Sequence, residues 1–598
     1  LSAEDTGGHN TAIGYRALSQ LNYDGNGYNT TVGSDAGRKV STGIQNTIIG
    51  GLAGDALTTG DNNVAIGYLS LSTEDAHGRN VAVGAYALKD QNAGAQAYNV
   101  AVGYQAGYAV TTGVRNTLIG AAAGDAITTG EFNVAMGYNA LGSATDTDQS
   151  VAIGYGALAA LNYSGDSNNT AVGHNTGAAL VGGIKNTLLG AFAGDALVGG
   201  HKNVAVGYNA LSTEDGDGRN VAVGHEALKN QNAGTDAYNV AVGHDAGLSV
   251  TTGVQNAIIG GLAGDALTTG ASNIAIGYLA LSTEDAGSGN VAVGHSALKD
   301  QDAGDAFNTA VGYHAGKAVT TGTGNTLIGG SAGDALTTGF ENVAIGKNAL
   351  GGDVDGTENI AIGRSAMSST TNSRASIAIG YNALQNLNYG SLTYTHNIGI
   401  GFTAGVSITS GIKNVIIGGL AGDALTTGNN NVVMGYEALS TEDTTGGVVA
   451  IGYRALKMQN ADSTSYNTAV GYQAGENVTT GVQNTIIGGL AGDALTTGGN
   501  NVVVGYQALS TEDEHGSNTA VGTQALRTLN AGANAFNVAV GNQAGYSATT
   551  GTDNVLVGAA SGYALTTGEK NTAIGRFTLG AEDTGSRNIA IGYWALKN

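Results

Sequence analysis

Carboxylates and imidazoles are the groups in this 598-residue chain that could do chemistry, and they recur along it instead of meeting once. Gly-Asp-Ala-Leu places aspartates at Asp55, Asp195, Asp265, Asp334, Asp423 and Asp493, and Gly-Asp-Ala-Ile adds Asp125. In a trimer each would form a ring of three carboxylates, which holds Ca²⁺ only with further oxygen ligands. A turn aspartate bonding its own backbone is the simpler reading. Tyr563 at the last equivalent position agrees with it. Ser-Thr-Glu-Asp recurs at 72–75, 212–215, 282–285, 440–443 and 510–513, and reads as solvated loop tips. Its two acids are sequence neighbours, whereas glycosidase chemistry needs a pair opposed across about 5–10 Å in one groove. His174, His225, His244 and His295 follow a recurring glycine at a place where Tyr is common. They read as substitutes in an aromatic column, with His225 and His244 stacked. No glycine-rich phosphate loop opens a helix, and Ser, His and Asp form no unique constellation. The reading is therefore non-enzymatic, with no catalytic residue, no cofactor and no metal assigned.

These groups ride on one repeat, Asn-(Thr/Val)-Ala-(Val/Ile)-Gly, present in 34 copies. The fifth-position Gly is in every copy; Asn opens all but those at Ser150, Ser376 and Val448. Motif glycines at 14, 33, 50, 67 and 84 are spaced 19, 17, 17 and 17 residues, so four rungs make a 70-residue unit. Period-2 alternation within the motif predicts a strand, and the Gly predicts a bend or a close backbone approach. Many second halves end in Thr-Thr-Gly, as at 58–60. A rung is thus expected to hold two short strands and two turns. The fold class is all-β, a parallel β-solenoid of 34 rungs, as one continuous array over 1–598. One extra 17-residue rung lies near 347–380, followed by the longest loop, 21 residues from Gly380 to Gly401. The structural positions singled out are Asn63, Asn133 and Asn203 with Gly67, Gly137 and Gly207. The Asn column is expected to form an amide ladder, each side chain bonded to its neighbours above and below.

The third motif position is usually Ala but large in every third rung of a unit, as at Ile48 and Leu118. In those rungs the residue after the motif Gly is small, as at Gly51 and Ala121, where other rungs often carry Tyr or His. Large-for-small exchange marks close packing, and it is read here as packing between chains around a common axis. The post-Gly Tyr residues are accordingly expected to be buried.

Composition excludes several classes. Cys and Pro are both zero, so there is no disulfide framework, no Cys-based metal site and no collagen helix. A net charge of −23 argues against nucleic acid. The 42% of hydrophobic residues argues against disorder. No apolar run is long enough to cross a membrane as a helix. The abrupt ends, Leu1 and Asn598, are read as those of the central part of a longer protein.

Asn-Thr-Ala-Ile-Gly-Tyr-Arg-Ala-Leu at 10–18 and Asn-Val-Ala-Val-Gly-Tyr-Gln-Ala-Gly at 99–107 resemble the head repeats of YadA-like trimeric autotransporter adhesins. Similar repeats of longer period are found in bacteriophage tail fibres. The resemblance spans the whole chain, and it implies a homotrimer of left-handed parallel β-rolls. The rungs here are longer than the compact adhesin rung and are grouped in fours, with no coiled-coil stalk. The expected function is the structural shaft of a homotrimeric extracellular fibre for attachment or host recognition, foremost a bacteriophage tail fibre. The alternatives are a bacterial surface adhesin or a self-assembling extracellular filament. Expected partners are the chain itself and, through segments outside this sequence, a cell-surface glycan or receptor; no nucleic acid and no membrane insertion are expected. The expected location is extracellular, on a virion or cell surface. A polysaccharide-degrading solenoid would need one departing rung, and 347–401, with Lys347, Arg364 and Arg374, is the sole candidate. An ice-binding face would need an unbroken Thr array, which the Thr-Thr-Gly distribution breaks.

Overall fold

The computed structural model describes residues 7–216 and 218–597. Two compact units, Leu1–Ser296 and Ala297–Asn598, are built alike. Each carries 17 copies of a three-residue motif strand, and no helix occurs among the described residues. The chain is an all-β parallel solenoid of about 34 turns. Strands stack in parallel register: Val64, Ala65 and Ile66 pair with Val81, Ala82 and Val83, and Val415, Ile416 and Ile417 with Val432, Val433 and Met434.

The expectation of two strands per rung is corrected. One three-residue strand is the rule, and the rest of the rung is turns. Short second ladders occur at Thr147–Asp148 with Gly165–Asp166, and at Thr371–Arg374 with Asn388–Tyr394. The cause is the number of left-handed residues. In the rung after Gly67 (φ 135°), Leu69 (55°), Leu71 (51°) and Arg79 (69°) all have positive φ. Each reverses the pleat, so no strand can run on. A non-glycine residue there costs roughly 1–2 kcal/mol. The rung-to-rung bonds offset it: Leu71 N–H donates to Ala87 O at 3.0 Å, and Leu69 N–H to Gly51 O at 3.1 Å. The Thr-Thr-Gly side is likewise laddered without being strand, as Ser41 N–H donating to Thr58 O at 2.9 Å shows.

The core is a thin column enclosed by one chain. Third-position residues point into it: Ile48, Ala65, Leu118 and Leu188 are 0% exposed. This overturns the reading of these residues as contacts between chains. The volume exchange is internal. A Cβ on Gly107 would meet Leu118 Cδ1 at 2.7 Å and Leu88 Cδ2 at 2.9 Å, and one on Gly124 would meet Leu118 Cδ2 at 2.8 Å. Where the motif residue is large, the position four after the motif Gly is Gly; elsewhere it is often Leu, as at Leu71 and Leu88. The partners of Ile48 are Gly37 and Gly54, not Gly51. Gly51 instead lies outside, where its Cβ position is 3.7 Å from the Tyr68 ring. That is ordinary contact distance, so Ala121 serves equally well at the same place.

Candidate functional surface and buried polar keys

The Asn column forms the expected side-chain ladder in part, as from Asn46 Nδ2 to Asn29 Oδ1 at 3.2 Å and from Asn342 Nδ2 to Asn325 Oδ1 at 3.1 Å, and a more regular backbone bond runs beside it. Asn63 N–H donates to Asn46 Oδ1 at 2.9 Å, and Asn80 N–H to Asn63 Oδ1 at 3.0 Å. The bond therefore runs from backbone to side chain. The amide also donates to backbone carbonyls, as from Asn133 Nδ2 to Thr147 O at 2.6 Å and from Asn116 Nδ2 to Gly130 O at 2.8 Å. Asn203 joins the same chain, donating its N–H to Asn186 Oδ1 and accepting from Asn220 N–H, both at 2.9 Å. Asn63, Asn133 and Asn203 are all 0% exposed. Gly67, Gly137 and Gly207 have φ of 135°, 136° and 140°. A Cβ at Gly67 would lie 2.4 Å from Gly84 O, so close backbone approach fixes these glycines.

The second and fourth motif residues point outward. Ile49, Met136, Ile259, Met434 and Ile487 are each more than a third exposed. No rung places a charged residue at either position. Beside this apolar stripe stands a column of rings. Tyr138, Tyr155 and His174 stack with centroids 5.4 and 5.1 Å apart, and Tyr436, Tyr453 and Tyr472 at 5.9 and 5.3 Å. Gly489 interrupts the second stack, whereas beside Ala191 Phe192 carries the first on by edge contacts to His174 and Tyr208 at 5.2 and 6.0 Å. Tyr138 and Tyr472 are each 55% exposed, so the expectation of buried rings is corrected for the single chain. His225 and His244 do stack, 4.8 Å apart and 5° from parallel. Their Nδ1 atoms share the Asp245 carboxylate at 3.3 and 3.1 Å.

The Ser-Thr-Glu-Asp segments are not simply solvated tips. Glu74, Glu214, Glu284, Glu442 and Glu512 are all 0% exposed. Glu442 Oε1 accepts Thr445 N–H at 2.8 Å, and Oε2 accepts Gln459 Nε2–H at 3.2 Å and Ala461 N–H at 3.3 Å. Gln459 Oε1 in turn accepts from Asn467 Nδ2 at 2.9 Å. The glutamate thus ties its own turn, the next rung and the Asn column together. Burial pushes the Glu74 and Glu512 carboxyls above the usual carboxylate range. Sequence reasoning missed these residues, although Glu74 lies seven residues after its motif Gly, as inward Val40 and Leu57 do.

The Gly-Asp-Ala-Leu aspartates lie half-buried in turns. Burial raises the Asp125 and Asp195 pKa values, opposed by the nearby backbone N–H of each residue and its successor, and Oδ1 of both is buried without a hydrogen bond. Asp55 adds an ion pair with Arg38 at 3.8 Å. In the irregular stretch, Arg374 is committed to Glu358 at 2.7 Å and lies 4.2 Å from the Tyr394 ring centroid. Arg364 stacks on Tyr381 at 5.7 Å. Asp353 is 0% exposed, so a polysaccharide in a groove would not reach it.

Groups of three or more metal-ligating side chains among the described residues are His225–His244–Asp245, Glu74–Asp75–His77, Glu512–Asp513–His515 and Glu284–Asp285–Asp302. No helix among the described residues is long and apolar enough to cross a membrane. Comparison with known proteins returned no matching family model, no matching curated protein and no matching solved structure.

Proposed function

We propose that the chain is the non-enzymatic shaft of a homotrimeric extracellular fibre, used for attachment or host recognition and foremost a bacteriophage tail fibre. In this reading the rolls are left-handed and pack by their outward strand faces. The observation that carries it is the stripe of second and fourth motif residues, apolar apart from Thr at second positions such as Thr47 and Thr117 and charge-free in every rung of a chain with net charge −23. Exposed apolar patches larger than a few hundred Å² mark association sites. Here the stripe repeats over 17 motif strands in each unit. A second copy is the fitting occupant, because like-charged chains repel everywhere except along a face without charge. The half-exposed Tyr column borders the same face and would close over it.

Light scattering and electron microscopy on one sample test the assembly. Three chains per cross-section in a thin fibre are expected. Ile66→Glu with Val83→Glu and Val102→Glu puts charge in three successive rungs without touching the core, and should leave single chains. A three-chain mass that survives the triple substitution would defeat the reading. Labelling of virions against cell surfaces then separates the tail fibre from an adhesin or a self-assembling filament.

A further inference from the structure

Two of the buried-glutamate tips differ from the others in one respect. Three residues after the glutamate they carry a histidine, His77 beside Glu74 and His515 beside Glu512. The same place is Gly287 beside Glu284 and Thr445 beside Glu442. All four of these residues donate their backbone N–H to the glutamate Oε1, at 3.1, 3.2, 2.7 and 2.8 Å. The fold of the tip therefore does not need the imidazole.

The imidazole nitrogen is buried and left without a hydrogen bond. Nδ1 of His77 and Nδ1 of His515 are both shielded from solvent and have no hydrogen-bond partner. Buried polar atoms are nearly always paired, and an orphan commonly marks an unseen water or ion. Each Nδ1 faces its glutamate Oε1 at 3.8 and 3.7 Å respectively. That is too long for a hydrogen bond. A zinc-type ion lies about 2.0–2.2 Å from nitrogen and oxygen donors, so at bond angles of about 110–130° the donors stand roughly 3.4–3.8 Å apart. Asp75 and Asp513 bring the third donor, with all three ligand atoms within 4.8 Å of one another. The arrangement occurs independently in Leu1–Ser296 and in Ala297–Asn598.

We infer that Glu74–Asp75–His77 and Glu512–Asp513–His515 are two equivalent binding sites for a first-row divalent cation of the zinc type. One imidazole with two carboxylates suits Zn²⁺ better than Ca²⁺, which takes six to eight oxygen donors. Solvent completes the coordination. Oε2 of each glutamate stays on the next rung, at Ala93 N–H (3.5 Å) and Ala531 N–H (3.2 Å). A bound ion would thus pin two rungs through one side chain.

The test uses the full chain carrying His225→Gln and His244→Gln, which removes the exposed imidazole pair. ZnCl₂ at micromolar concentration is titrated calorimetrically, and retained zinc is counted by elemental analysis after gel filtration. Two equivalents per chain are expected. His77→Gln and His515→Gln should each remove one, and the two together both, with unchanged far-ultraviolet circular dichroism. An equal concentration of CaCl₂ should not displace the zinc. Absence of uptake, or uptake that persists in the double variant, overturns the inference and leaves a histidine–glutamate contact at each tip.

Discussion

Two stretches of Ala297–Asn598 solve the same problem with different side chains. At 442–467 the turn is regular. Glu442 is buried under Gln459, whose Oε1 accepts from Asn467 Nδ2 at 2.9 Å, and Asn467 Nδ2 also donates to Gly481 O at 2.6 Å. At 353–411 the extra rung and the 21-residue loop replace these residues. Asp353 stands where the glutamate would, and the Tyr389 hydroxyl takes the glutamine's place. Asn397 Nδ2 donates to that hydroxyl at 3.2 Å and to Gly411 O at 2.7 Å. The loop thus changes length and composition while the column amide keeps both acceptors. Even the core adapts: Gly399 occupies the usual Ala position, where a Cβ would lie 2.5 Å from Leu384 Cγ. What these two stretches keep in common is the pair of acceptors around the column amide, while loop length is free.

The largest effect should come from the backbone approach that both stretches share. Gly67→Val places a Cβ 2.4 Å from Gly84 O at φ 135°. It should destabilise by about 4 kcal/mol or more. Gly390→Ala in the irregular loop meets open space and should stay within about 0.5 kcal/mol. Native-state hydrogen exchange reads each locally, which suits a repeat array whose unfolding need not be two-state. Comparable losses for the two would refute the shared-bend account.

Asn133→Ala comes next. It removes the acceptor of Ser150 N–H (3.0 Å) and the donor to Thr147 O (2.6 Å), both buried. Orphaning them should cost about 3 kcal/mol. Exchange protection should fall in the adjoining rungs and hold in distant ones.

Asp353 gives the irregular stretch its own pH dependence. Burial pushes its carboxyl from the ordinary aspartate range up to about 7. The folded chain then holds a proton that the unfolded chain has released, so stability falls as pH rises between about 4 and 7 and levels off above. Denaturation at pH 5 and pH 8 should differ by on the order of 2 kcal/mol locally, with pH 5 the more stable. Asp353→Asn should flatten that slope. A slope unaltered by the substitution would assign the dependence to other acids, such as Glu74 and Glu512, which burial shifts the same way.

The smallest effect separates the two versions of the amide's partner. Tyr389→Phe removes the hydroxyl that bonds Asn397 and Gly411 but keeps the packing. It should cost about 1 kcal/mol, since Asn397 still donates to Gly411 O. Gln459→Leu should cost more, because Glu442 loses a partner as well.

The rung, its period and the roles of Asn and Gly were legible in the sequence because repetition exposes them many times. Three features were not. Ile48 covaries with Gly51 and also packs on Gly37 and Gly54; all are small, and spacing alone does not choose the true partner. The second strand looked plausible at Thr-Thr-Gly, but positive φ at non-glycine residues such as Leu71 and Arg79 leaves no mark in composition. Glu74 sat beside exposed Asp75 and was read with it as a tip. Its register with Val40 and Leu57 carried the contrary signal. The apolar outer face was legible as a strand pattern, while its exposure required the structure.

The asparagine column has a sense of direction. Where one asparagine follows another, its backbone N–H points back to the side-chain carbonyl of the preceding rung, as Asn46 to Asn29 and Asn116 to Asn99 do. A ribosome releases the earlier rung first. Each asparagine that follows another then finds its acceptor already in place, and the growing chain is its own template, adding turns at one end only. Even where Val448 breaks the run, its N–H still reaches back to Asn431 Oδ1 at 2.9 Å, so the rung is seated although it offers no side-chain acceptor to its successor.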